Sequence, residues 1–179
     1  MTFKIRKAVF DDIPKIEKLI AESVRGLSGD DYNAEQIELS IKTVFGVDRE
    51  LISDGTYFVV EAEDGIIAGC GGWSKRKTLY GASVYAQSRD SELLNPEIDA
   101  AKIRAFFIHP EFARKGIGTM ILEACETEAK AHGFKSAEMM ATLPGVKLYA
   151  VRGYSGDEKV SVPLGENLDI ICIKMRKNL

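Results

Sequence analysis

Two cations and two spaced glycines, Arg114-Lys115-Gly116-Ile117-Gly118, separate an apolar stretch from a strongly helical one. Glycine lets a ligand approach the backbone closely, and the first turn of a helix offers four N–H donors without partners inside the helix. The helix dipole adds positive potential at the same end. These features predict an anion site, and a phosphate or pyrophosphate suits it best. The alternative is a plain helix start whose glycine-rich turn binds no ligand.

Two common phosphate-binding motifs do not fit this stretch. A P-loop requires G-x-x-x-x-G-K-[ST], which occurs nowhere in the sequence. A dinucleotide-binding fold requires G-x-G-x-x-G near the first strand. In this chain Ile121 stands three residues after Gly118, and the motif lies past the middle of the sequence. Another scheme must therefore account for the glycines and cations.

Hydrophobic periodicity predicts the elements before this motif. Residues 3–9 alternate apolar and charged side chains, as a half-buried strand does. A helix follows with one apolar face, made of Ile13, Ile16, Leu19, Ile20 and Val24. A second helix is predicted over Ala34 to Phe45. Tyr57 to Ala62 and Ile66 to Trp73 are then predicted as strands, joined by a turn at Asp64-Gly65.

The elements around and after the motif are equally regular. The apolar run Ala100 to Ile108 predicts a strand that His109-Pro110 ends. Gly116 opens a helix that reaches about Ala131, where His132-Gly133 closes it. Four shorter elements complete the chain: a strand over residues 135–141, a helix over 144–152, and strands over 154–162 and 168–175.

This order predicts one α/β domain over residues 1–179, with a mixed sheet of about seven strands flanked by about four helices. The segment Lys75 to Glu97 lacks a regular pattern. It is either a variable surface segment or a loop that shapes a substrate site, because long loops inside compact domains are often functional.

Composition bounds the possible functions. The chain has 179 residues and a net charge of −3, with 45% hydrophobic and 28% charged residues, so a nucleic-acid partner is not expected. No apolar run approaches the roughly 20 residues of a membrane helix, and the N-terminus lacks the apolar core of a signal peptide. We therefore expect a cytoplasmic protein without a membrane partner. Three scattered cysteines are expected as buried thiols, and two distant histidines predict no metal site.

The stretch IHPEFARKGIGTMIL resembles the pyrophosphate-binding motif of the GNAT superfamily of N-acetyltransferases, roughly [QR]-x-x-G-x-[GA] after an apolar strand. Gly116 and Gly118 match, whereas the first position falls on Ala113. The loop of this family holds its ligand mainly by main-chain N–H groups, and Arg114 and Lys115 keep positive charge beside it.

A second stretch, LYAVRGY from Leu148 to Tyr154, is similar to the family's [FY]-Y-x-x-x-G-[FY]. Tyr149, Gly153 and Tyr154 match, and Leu148 replaces the usual aromatic residue. The element order of the family also fits, so the resemblance covers nearly the whole chain. It implies a single N-acetyltransferase domain of the GNAT fold, whose central sheet is mixed and mostly antiparallel.

The resemblance also implies a function. Members of the family bind acetyl-CoA and pass its acetyl group directly to a primary amine, without a metal. The pyrophosphate is expected on Arg114, Lys115, Gly116, Ile117, Gly118 and Thr119. The pantetheine arm is expected to pair with the main chain of Phe106, Phe107 and Ile108, in a gap between this strand and Ser136–Met140. Thioester and amine would meet in that gap.

Acetyl transfer needs a neutral amine, a donor for the oxyanion, and a proton or hydrogen bond for the departing thiolate. A main-chain N–H near Phe106 to Ile108 is the expected oxyanion donor. Tyr149 is the expected catalytic residue for the thiolate, with a half-buried aromatic as the alternative. The base stays open, with a water chain or one of four carboxylates as candidates: Glu22, Asp30, Asp99 and Glu138.

Several further questions stay open at the level of sequence. Arg104 faces either the acceptor pocket or a sheet edge, and His109 is expected to have no catalytic task. The acceptor is expected to be a small molecule, although a peptide N-terminus or a protein lysine also fits, and a homodimer is common in the family. The alternative functions are a non-catalytic CoA-binding or regulatory protein and an enzyme that transfers a longer acyl group.

Overall fold

Seven strands form one sheet in the computed structural model, which describes residues 2–80, 90–165 and 167–179. They are β1 (Lys4–Lys7), β2 (Tyr57–Glu61), β3 (Ile67–Ser74), β4 (Ala101–Ile108), β5 (Ser136–Thr142), β6 (Ser155–Pro163) and β7 (Asp169–Asn178). Their order across the sheet is β1-β2-β3-β4-β5-β7-β6. Among the described residues, the β4–β5 pair is the only parallel one, and the other neighbouring strands are antiparallel. The predicted mixed, mostly antiparallel sheet is therefore confirmed.

Five α-helices pack on this sheet within the described residues: α1 (Ile13–Leu27), α2 (Ala34–Thr43), α3 (Arg49–Ser53), α4 (Ile117–Ala131) and α5 (Leu143–Val151). The sequence predicted four of them and missed α3, whose five residues are too few to show a helical period. The local signal for α3 is its N-cap, because the Asp48 carboxylate accepts hydrogen bonds from the N–H groups of Glu50 and Leu51.

The sheet separates two apolar clusters. Successive residues of β2 point to opposite faces, so that Phe58 contributes to one cluster and Tyr57 to the other. The apolar side of α4, which includes Ile121 and Leu122, covers the first face, and α1 covers the second face with Ile16 and other apolar residues. The three cysteines are buried and free, as expected.

The irregular segment 75–97 begins and ends with short paired pieces. The N–H of Lys77 donates to the Glu92 carbonyl at 3.0 Å, and the N–H of Leu94 donates to the Lys75 carbonyl at 2.8 Å. The Arg76 guanidinium also bonds the Asp54 carboxylate at 2.7 and 2.8 Å. These contacts fix residues 75–78 beside α3. Residues 81–89 of this segment lie outside the described part of the chain.

Candidate active site

A gap opens between β4 and β5 halfway along the two strands. Their parallel pairing runs from Ala101 opposite Ala137 to Ile103 opposite Met139 and then stops, although β4 continues to Ile108 and β5 to Thr142. On its other side β4 stays paired with β3 as far as Ile108. A gap beside Phe106–Ile108 was predicted and is present, but its predicted bounds on β5, Ser136–Met140, were wrong, because the strands stay paired as far as Met139 and the gap begins after it.

A bulge in β4 lies at the start of this gap. Ala105 and Phe106 together oppose Gly71 of β3, and Ala105 has a left-handed backbone with φ of 59°. Such a conformation is strained in a residue other than glycine. The Tyr57 hydroxyl stabilises this conformation by donating to the Ala105 carbonyl oxygen at 3.2 Å. Gly71 is required on the opposing strand, because a Cβ there would lie 2.6 Å from the Phe106 ring.

The glycine loop lies at the far end of the gap and leads into α4. Gly116 is the N-cap residue and has φ of 84°, a conformation that favours glycine. Within the described part of the chain, no group accepts a hydrogen bond from the N–H groups of residues 116–119. Four main-chain donors and the positive end of a 15-residue helix therefore face the same space.

Gly118 has a packing role that the sequence did not predict. A Cβ at this position would lie 2.7 Å from Cδ2 of Leu148 on α5. The missing side chain thus lets α5 pack closely against the first turn of α4. Leu148 replaces the aromatic residue usual in the motif, and it fills this space.

One cavity of about 740 Å³ is lined by the glycine loop, by the gap, and by residues at the end of α1 and between α2 and α3. Its wall includes most of the cofactor-binding residues predicted from sequence, namely Phe106, Phe107, Ile108, Arg114, Gly116, Ile117, Gly118 and Thr119. Lys115 does not contribute to the wall; its ammonium group lies 5.1 Å from the centre of the Phe112 ring. The predicted residues are thus brought together around one space.

Tyr149 on α5 lines the same cavity and is buried. Its ring packs edge-on against that of Phe106, with 6.1 Å between the ring centroids. Burial raises the pKa of the Tyr149 phenol well above its usual value, so the hydroxyl keeps its proton. The arrangement places a protonated phenol beside the bulge, as the proposed hydrogen bond to a thiolate requires.

The other end of the cavity is built from side chains on loops and helix ends. Arg104 lines it and forms an ion pair with Asp48 at 2.5 Å, in which both side chains are almost fully buried (3% and 1% exposed). The same guanidinium donates to the Thr78 carbonyl at 2.8 Å. Arg104 therefore faces the cavity rather than a sheet edge, and it connects β4 to α3 and to segment 75–97. Asp30 and Asp31 lie in the wall nearby.

The four candidate bases differ in position. Asp30 lines the cavity, whereas the other three do not. Glu138 pairs with Lys102, and the Asp99 carboxylate accepts from the Asn95 N–H at 2.7 Å. Glu22 lies 3.5 Å from Nε2 of His109. His109 accepts a hydrogen bond from the Glu111 N–H at 3.2 Å and lies outside the cavity wall.

Comparison with known proteins identifies the family. The family model described as "Acetyltransferase (GNAT) family" matches residues 20–154, which is well over half of the chain. The chain belongs to this family. A search of the curated proteins gave no significant match. Membership in the GNAT family supports a transferase, and specifically an acyltransferase, and it confirms the resemblance found in the sequence.

Solved structures share the fold at low sequence identity. A GCN5-related N-acetyltransferase from Rhodopseudomonas palustris is 20% identical with a TM-score of 0.73, and the match covers 100% of this chain and 97% of that chain. The PaiA N-acetyltransferase from Thermoplasma acidophilum, solved with coenzyme A, is 17% identical with a TM-score of 0.67 and 100% coverage of both chains. An N-acetylglutamate synthase from Neisseria gonorrhoeae is 18% identical with a TM-score of 0.61, covering 100% of this chain and 35% of that chain.

The described residues contain no group of three or more His, Cys, Asp and Glu side chains that could hold a metal ion. Across residues 2–80, 90–165 and 167–179, no helix has the length and apolar character needed to span a membrane.

Proposed function

We propose that this protein is an N-acetyltransferase that moves the acetyl group of acetyl-CoA directly to a primary amine of a small molecule. The observation that carries the proposal is the continuous cavity. It joins the N–H groups of residues 116–119, which have no acceptor among the described residues, to the edge of β4 that β5 leaves unpaired and then to a wall formed by side chains. A cytoplasmic location is part of the same proposal.

The donor fits this cavity by its chemistry. The pyrophosphate of CoA would lie on the N–H groups of the glycine loop, with the Arg114 side chain nearby. The pantetheine arm is a peptide mimic, and the stretch of β4 from Phe106 to Ile108, which is not paired with β5, offers it main-chain hydrogen bonds. The coenzyme A bound to the PaiA protein of the same fold supports this assignment.

We place the transfer at the bulge. The protonated amine first loses one proton, and the neutral amine then attacks the thioester carbonyl carbon, which forms a C–N bond and places a negative charge on oxygen and a positive charge on nitrogen. A main-chain N–H near Phe106, at the start of this stretch, stabilises that oxyanion. The nitrogen then gives its second proton to water as the C–S bond breaks, and the CoA thiolate leaves with a hydrogen bond from the Tyr149 phenol and takes its proton from water. The products are an N-acetylated amine and free CoA.

The proton of the amine needs an acceptor. Asp30 is the candidate base that lines the cavity, and we propose that it or a water molecule that it binds takes the proton. The raised pKa of Tyr149 makes this phenol a weaker acid than the CoA thiol. We therefore propose that a hydrogen bond to sulfur, rather than early proton transfer, is its main contribution.

A thiol-release assay with acetyl-CoA and a panel of primary amines tests the proposal. Amine-dependent release of CoA, with the acetylated amine identified by mass spectrometry, is the expected result. Acetyl-CoA binding without release for any amine or peptide would favour a non-catalytic binder. Faster release from a longer acyl-CoA would favour transfer of that acyl group.

A further inference from the structure

The edge of β4 that faces the gap carries a contact that the proposed function does not explain. The N–H of His109 donates to the Ala68 carbonyl at 3.0 Å, so this N–H points toward β3. Because main-chain groups alternate between the two sides of a strand, Ile108 turns its N–H away from β3 and into the gap. That N–H donates to Oγ of Ser23 at 3.1 Å.

Ser23 lies on α1, and its hydroxyl lies in the gap beside Ile108. The residue is only 6% exposed, and it lines the cavity together with Ile108. Its oxygen accepts the hydrogen bond from the strand, which leaves the hydroxyl hydrogen to be donated. Among the described residues, no acceptor for that hydrogen is found.

Three other helical hydroxyls behave differently. Ser40 donates to the Ile37 carbonyl at 2.8 Å, Thr43 to the Leu39 carbonyl at 2.8 Å, and Thr127 to the Glu123 carbonyl at 2.7 Å. A bond back to the preceding turn is the usual way to satisfy a hydroxyl inside a helix. Ser23 instead presents a buried donor to the cavity, and burying a donor without a partner has a cost.

We propose that Ser23 binds the acyl donor, with its hydroxyl donating to an amide carbonyl of the pantetheine arm while its oxygen keeps the Ile108 N–H. The inference rests on the proposed function and adds a cofactor-binding residue from α1. Ile108 lies three residues past Ala105, or about 10 Å along the strand. Ser23 therefore contacts the arm between the glycine loop and the thioester, and it does not touch the reacting carbonyl.

Two ligands distinguish a contact between Ser23 and the pantetheine arm from a purely structural role of Ser23. Acetyl-CoA carries the arm, whereas adenosine 3′,5′-bisphosphate carries the nucleotide half alone. Ser23→Ala is expected to weaken acetyl-CoA binding by about 5- to 10-fold, the value of one hydrogen bond, and to leave adenosine 3′,5′-bisphosphate binding unchanged. Titration calorimetry measures both. Ser23→Thr, which keeps the hydroxyl, should bind acetyl-CoA more tightly than Ser23→Ala.

The control variant is Ser40→Ala, which removes a buried helical hydroxyl whose partner is its own helix. It should change neither affinity. Equal weakening of both ligands in Ser23→Ala would overturn the inference, because it would show a purely structural role, and so would unchanged affinity for acetyl-CoA. If the unmodified protein bound neither ligand, the proposed function would fail and this inference with it.

Discussion

The two ends of the cavity are built by different means. At the proposed donor end, the groups available for binding belong to the main chain: the N–H groups of residues 116–119 and the stretch of β4 from Phe106 to Ile108 that β5 leaves unpaired. At the proposed acceptor end, side chains on loops and helix ends form the wall, and they include the buried Arg104–Asp48 ion pair, Asp30 and Asp31.

This difference separates recognition of the CoA thioester, which is general, from recognition of one acceptor, which is specific. A diphosphate and a peptide-like arm are common to every CoA thioester, and main-chain donors recognise them whatever the neighbouring side chains are. The acceptor varies, and side chains on loops can change without disturbing the sheet. Substitutions at the donor end should therefore alter CoA binding, whereas substitutions at the acceptor end should alter stability and the choice of amine.

The largest effect is expected at the Arg104–Asp48 pair. Arg104→Met should lower the free energy of unfolding by about 3–5 kcal/mol, because it leaves the Asp48 carboxylate buried without its cation. Urea unfolding followed by circular dichroism measures this change. The double variant Arg104→Met/Asp48→Asn removes the charge but keeps an N-cap acceptor for α3, and it should recover part of the loss. A loss below about 1 kcal/mol in the single variant, as at a surface pair, would contradict the account.

The next largest effect tests the donor end. Gly118→Asp should weaken acetyl-CoA binding at least about 100-fold, since placing like charges together costs several kcal/mol. Gly118→Asn is the matched control, because it meets the same close contact with Leu148 without the charge. Calorimetry should therefore show a much smaller loss for Gly118→Asn. Equal affinities in the two variants would argue against a phosphate beside this position.

A smaller effect is expected at Tyr149. Tyr149→Phe should lower kcat by about 10- to 100-fold, at the low end of general acid catalysis, with little change in acetyl-CoA affinity. Tyr154→Phe is the control, since Tyr154 is a buried tyrosine of the same motif that does not line the cavity. It should leave kcat close to that of the unmodified protein.

The pH dependence of kcat follows from the direction of the Tyr149 pKa shift. Burial raises this pKa above its usual value near 10, so the phenol stays protonated below about pH 10 and kcat should not fall there through its ionisation. A decline in kcat with a pKa near 10 that disappears in Tyr149→Phe would refute the shift.

The smallest effect concerns acceptor choice. Asp31→Asn should lower kcat/KM for a diamine by about two- to fivefold relative to a monoamine of equal length, because an exposed charge contributes little. Asp64→Asn, in the β2–β3 turn and outside the cavity wall, is the control and should not change the ratio. If Asp31→Asn left the preference between the two amines unchanged, Asp31 would have no part in acceptor binding.

The same division explains what the sequence could predict. The glycine loop, the strand before it and Tyr149 lie within 50 residues of each other and carry local signals of glycine spacing and apolar periodicity. The bulge at Ala105 has no such signal, because no glycine marks its left-handed residue. Long-range side-chain contacts, such as Arg104 with Asp48 and Ile108 with Ser23, join residues that no short pattern connects.

The candidate bases differ in their place in the fold, which sequence position could not show. Asp30, Asp99, Glu22 and Glu138 are equivalent in composition, and only the folded chain shows which of them reaches the cavity wall. The five-residue helix α3 was missed for a similar reason, since one turn of helix has no period to detect.

The central claim is that the N–H groups of residues 116–119 bind the diphosphate of CoA. A crystal structure of this protein with CoA tests it most directly. The account predicts diphosphate oxygens about 2.7–3.2 Å from those nitrogens, with the pantetheine arm in the gap between β4 and β5. A diphosphate bound elsewhere, with these N–H groups still facing solvent, would contradict it.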